Sequence, residues 1–129
     1  MALEVPESIR KFVERCVDSV ELLHVLMLLH DRVETAWTVR SISDELRSSE
    51  TSVQARVRAL IQTKVLAPEA MLEGHVRYVP FSPEVDAQAK ETIEFYRRAP
   101  YRIVDLIFSK RTDAIRSIAD AFRFRKEDS

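Results

Sequence analysis

One glycine, Gly74, serves a chain of 129 residues, and that scarcity constrains the fold more than any other feature. Glycine supplies the positive-φ positions that tight turns, phosphate-cradling loops and hinges depend on. A sheet-rich fold or a nucleotide-binding loop draws on several glycines, so a mainly α-helical protein is expected. Hydrophobic residues make up 46% of the sequence, enough apolar surface to offset chain entropy and build one real core.

Cys16 is the single cysteine, which leaves no internal disulfide framework and no cysteine-based zinc site. The chain therefore reads as built for a reducing compartment, and a cytoplasmic location is expected. The stretch from Met1 to Glu7 lacks the basic and apolar regions of a signal peptide. The longest apolar run, Val25 to Leu29, is far short of the about 20 residues that a membrane span takes, and belongs in a core. Lys plus Arg number 20 against 21 Asp plus Glu, so no global positive charge points to nucleic acid. A contact surface needs only its own face to be positive.

Along the chain, apolar spacing and capping residues define a series of helices. Ile9, Phe12, Val13, Cys16 and Val17 form the stripe of an amphipathic helix over 6–18, with Cys16 as a small core residue. A second helix is expected to start at Asp18, capped by its carboxylate while Glu21 reaches back. From Val20 to Leu29 it is apolar on nearly all sides, which places it centrally or beneath a second subunit. His24 and His30 lie six residues apart on it, a spacing that does not converge on a metal, and no metal or other cofactor is expected. Thr38 caps a short helix with Val39, Ile42 and Leu46 inward. Ser49 caps the next, over 50–63, with Val53, Val57, Leu60 and Ile61 inward.

The period then changes. Val65-Leu66-Ala67 and Val76-Arg77-Tyr78-Val79 read as two short strands, with Gly74 supplying a positive φ in the loop between them. Ser82-Pro83-Glu84 starts a helix that runs to Arg98 with Val85, Ala89, Ile93 and Tyr96 inward. Pro100 interrupts it, a helix follows from Tyr101 to Lys110, and Thr112-Asp113 caps a last one carrying Ile115, Ile118, Ala119 and Phe122.

Helix, polar turn, helix and two strands, from Ala36 to Pro80, resemble the winged helix-turn-helix domains of bacterial transcription regulators, including multiple-antibiotic-resistance-type repressors. Trp37 to Leu46 resembles the first helix of the motif, Ser49 to Leu60 its recognition helix, and the two strands its wing. The resemblance implies a homodimeric, sequence-specific binder of double-stranded DNA. Residues 1–81 would form the winged helix-turn-helix domain, and 82–129 a C-terminal helical extension that dimerises.

Groove geometry explains which residues matter. A helix entering the major groove presents small polar residues near its N-terminus, on the face turned away from the core. At 100° per residue the face opposite Val53 and Val57 centres on Ala55. Thr51, Ser52 and Gln54 are the candidates for base edges, Ala55 for a thymine methyl, and Ser49 at the cap is counted with them as DNA-binding. Arg56 and Arg58 can reach phosphate or guanine, while Arg40, Arg47 and Arg77 flank the turn and the wing. The alternative is a protein-interaction module without DNA binding, since fold does not fix function. Glu69 and Glu73 in the wing loop favour it, because wings that enter a minor groove present bases.

From Arg97 to Lys126 nine bases face three acids, with Tyr101, Phe108, Phe122 and Phe124 interleaved. This segment is read as packing on a partner subunit with its charges solvated, as phosphate contacts beside the winged helix, or as a docking face for an acidic protein or a membrane surface. No nucleophile or carboxylate arrangement surrounds His24, His30 or His75, so an enzyme is not expected.

Overall fold

The computed structural model describes residues 4–109. The expected helix over Thr112 to Phe122, and the bases from Lys110 onward, lie outside them. The described chain is mainly α. It comprises α1 (Glu7–Cys16), α2 (Val20–Asp31), α3 (Val39–Leu46), α4 (Glu50–Gln62), β1 (Met71–Leu72), β2 (His75–Val76) and α5 (Pro83–Arg98). A last helical stretch, α6, covers 100–109. None of the described helices is long and apolar enough to cross a membrane.

α1 forms because Ile9, Phe12, Val13 and Cys16 recur on one face, and all four are buried. It ends at Cys16, two residues earlier than its spacing predicts, since Val17 turns to an extended conformation while keeping its side chain in the core. α2 is capped by Ser19, not Asp18: the Ser19 hydroxyl accepts from the Leu22 N–H at 3.1 Å. Glu21, expected to close a capping box, points to α4 instead. Leu22, Leu23, Val25, Leu26 and Leu29 are fully enclosed, and α2 packs against α3 and α4. Its apolar surroundings come from its own chain.

α3 and α4 start where their caps predict. Thr38 and Ser41 exchange two hydrogen bonds, the Ser41 N–H to Thr38 Oγ1 at 3.0 Å and the Thr38 N–H to Ser41 Oγ at 2.9 Å. Ser49 caps α4 by accepting from the Ser52 N–H at 3.1 Å.

Val65, Leu66, Ala67, Val76 and Tyr78 of the two apolar runs after α4 are buried, but the hairpin is formed by Met71-Leu72 with His75-Val76, at the start of the second run. Met71 pairs with Val76 and Leu72 with His75 across a two-residue turn, Glu73-Gly74, in which both φ angles are positive, 53° and 79°. Pro68 has no N–H to continue the ladder, and Pro68–Ala70 coils into a 3-10 turn instead. Val65 to Ala67 runs beside Val79 to Phe81, with the Ala67 N–H to Val79 O at 2.8 Å and the Phe81 N–H to Val65 O at 3.1 Å. Trp37 joins β2 from the other side through a reciprocal pair with Val76, at 2.8 and 2.7 Å. The small sheet is thereby fastened to the start of α3.

α5 is capped by Ser82 with Pro83 at its first position, as the sequence predicts. Its buried face is Ala89, Thr92, Ile93 and Phe95, with Val85 and Tyr96 half-buried at the edges. α5 packs on α1, and one continuous core joins Phe12 and Leu26 with Ile93, Ile103 and Ile107. Between α2 and α5, His24 Nε2 and the Tyr96 hydroxyl lie 3.0 Å apart, and Arg97 pairs with Asp31.

Candidate nucleic-acid interface

The turn between α3 and α4 is Arg47-Ser48-Ser49. Arg47 adopts a left-handed conformation (φ 54°, ψ 44°), and the Ser48 N–H returns to Ser43 O at 3.0 Å. That closure gives the Ser43 carbonyl of α3 an N–H donor and sends the chain straight into the Ser49 cap. Local hydrogen bonds thus shape the turn between the two helices, which also pack against each other.

Val53, Val57 and Leu60 anchor α4 to the core. The opposite stripe is exposed: Thr51, Gln54, Ala55 and Arg58. Arg40, in the first turn of α3, and Arg47 and Ser49, in the turn, are exposed as well. Arg77 is exposed beyond β2, its N–H bound to Ala70 O at 2.8 Å. Eight of the ten residues singled out from the sequence are therefore open to a partner.

Ser52 and Arg56 are placed differently. The Ser52 hydroxyl donates to Glu21 Oε1, and Arg56 Nε donates to the same oxygen at 3.1 Å. Arg56 Nη1 also lies 3.8 Å from Asp18 Oδ1. Both α4 residues are half-buried against α2. The Ser52 hydrogen bond, with Arg56 assisting, holds the Glu21 carboxyl below its ordinary range even though burial pushes the other way.

Glu21 and Trp37 are the residues that sequence reasoning missed. Glu21 carried one signal: an acid on an otherwise apolar helix needs a partner, because a partly buried carboxylate without one is costly. Trp37 carried none, since pairing with Val76 connects positions far apart in the sequence.

The hairpin borders a depression of about 300 Å³ lined by Ala36, Glu69, Ala70, Leu72, Glu73, His75 and Arg77. Leu72 at its tip is 60% exposed. Among the described residues no three His, Cys, Asp or Glu side chains gather as a metal site would require. Comparison with protein-family models, with characterised proteins and with solved structures gives no match.

Proposed function

We propose that this protein is a non-enzymatic transcriptional regulator that binds specific DNA sequences as a homodimer, with α4 in the major groove. The observation that carries the reading is the outward stripe of α4. Thr51, Gln54, Ala55 and Arg58 stand exposed on a helix whose other face is locked in the core, directly after a turn that presents Arg47. Gln54 offers an amide for adenine, Ala55 a methyl-sized contact for thymine, and Arg58 a guanidinium for guanine or phosphate. Arg40, Arg47 and Arg77 supply backbone contacts around it. The β1–β2 hairpin is the wing of a winged helix-turn-helix on this reading. A symmetric dimer would set two such helices about 34 Å apart, one turn of DNA, so that modest contacts add.

The hairpin favours a second reading, an interaction module that grips another protein. Its exposed Leu72, flanked by Glu69 and Glu73, suits a basic and apolar protein surface better than phosphate.

Selection of bound sequences from a random DNA pool at two salt concentrations tests the proposal. DNA binding as a dimer yields an enriched palindrome and steep salt dependence. Arg58→Ala then lowers the slope of log affinity against log salt by about 0.9 if Arg58 meets a phosphate. No enrichment, with only weak binding that salt abolishes, overturns the reading and favours the protein module.

A further inference from the structure

A single carboxylate on α2 holds two polar residues that lie one turn apart on α4. Glu21 Oε1 accepts from Ser52 and from Arg56, and Asp18 adds a second negative charge on the guanidinium. Arg56 retains 31% exposure of its side chain and Glu21 28%, whereas Gln54 and Arg58 on the same helix are exposed. We infer that Glu21 is a positioning residue that sets which edge of α4 reads DNA, clamping Ser52 and Arg56 onto α2 while Thr51, Gln54, Ala55 and Arg58 face outward. The inference rests on the DNA-binding reading.

The physical basis is a competition for one guanidinium. Arg56 is neutralised by two acids and tied through Nε, so reaching a phosphate would strip Glu21 of its cation in a half-buried place. Because residues 52 and 56 share one acceptor, the clamp also fixes the roll of α4 about its axis. A released Arg56 would add a phosphate contact that strengthens binding to every sequence alike and dilutes selectivity.

Salt-dependent DNA binding by the full chain tests this. Arg56→Ala is expected to leave the salt slope unchanged, in contrast to Arg58→Ala. Glu21→Gln keeps an acceptor for Ser52 but removes the charge that holds Arg56. Its slope is expected to steepen by about 0.9, with weaker discrimination between selected and random DNA, and adding Arg56→Ala should reverse the steepening. A slope already flattened by Arg56→Ala alone, or unchanged by Glu21→Gln, overturns the inference. Exchange of the Arg56 Nε–H, followed by NMR in the free protein, reads the clamp without DNA. Slow exchange relative to Arg58, lost in Glu21→Gln, supports it, and equal exchange overturns it. Failure of the parent chain to bind any DNA overturns the nucleic-acid reading itself, and slow Arg56 exchange then still supports Glu21 as the residue that orients α4.

Discussion

Tyr78 shows how much one side chain does in this fold. Its ring is buried and meets the His30 ring in a T-shaped arrangement with centroids 5.1 Å apart. Its hydroxyl donates to Asp86 Oδ1 at 2.5 Å, linking the segment after β2 to the first turn of α5. Burial, then the hydrogen bond to Asp86 and its negative charge, push the phenol well above its ordinary value of 10.0. A raised folded value means that the contribution to stability is complete below pH 10 and is lost as the pH rises above it. Tyr78→Phe should therefore cost about 1–2 kcal/mol at pH 7, by loss of a hydrogen bond to a charged acceptor, and remove part of the alkaline destabilisation. Urea unfolding of both proteins at pH 7 and 11 checks both effects, and a constant difference between them would contradict the titration argument. The Tyr78 partners were not legible in the sequence. The sequence places Tyr78 on a short extended run, but does not show that Asp86 sits within reach of its hydroxyl. The same holds for Glu21, whose position three residues after Asp18 fits a capping box as well as it fits a clamp on α4.

At the scale of elements, helices were legible wherever the causes are local. Thr38, Ser49 and Ser82 act as caps in the structure because a hydroxyl beside the first turn finds its N–H whatever lies elsewhere. The hairpin was misplaced because strand identity here is set by pairing: Val76 bonds to Trp37, and the turn uses a non-glycine residue, Glu73, at positive φ. Arg47 is the same kind of case. A left-handed position at a helix C-terminus favours glycine, and an arginine there stores strain of about 1–2 kcal/mol. On the DNA-binding reading its guanidinium contacts the DNA backbone beside α4. Arg47→Gly is accordingly predicted to raise stability by about 0.5–1 kcal/mol, the relief being partly offset by greater unfolded-chain entropy, while weakening DNA binding. Chemical denaturation and a salt titration of binding measure the two effects separately. A variant that loses both would mean that Arg47 serves the fold through contacts of its own.

For the whole molecule, the core decides how the chain divides. The sequence places a boundary at 81/82, where Ser82-Pro83 starts a new helix, and a cap at that point is real. The core nevertheless runs across it. Ile93, Phe95, Ile103 and Ile107 are buried in the same cluster as Phe12, Leu22 and Leu26, and α5 covers α1. That cluster also buries α2, so the apolar character of α2 no longer argues for a second subunit, and the proposed dimer rests on the mode of DNA binding and on the C-terminal extension. Periodicity shows which face of a helix is buried but not what buries it, which is why the boundary looked sharper in the sequence than the core allows. The consequence is testable by ending the chain at Phe81. At about 1.5–3 kcal/mol for each fully buried large side chain, losing those four removes about 6–12 kcal/mol, comparable to the about 5–15 kcal/mol that stabilises an ordinary domain. The shortened chain would also lose the Tyr78–Asp86, His24–Tyr96 and Asp31–Arg97 links. It is expected to melt without a cooperative transition in far-UV circular dichroism, whereas the full chain melts cooperatively. A sharp melt from the shortened chain would instead make residues 1–81 a self-sufficient unit, and α5 an addition to a core already complete without it.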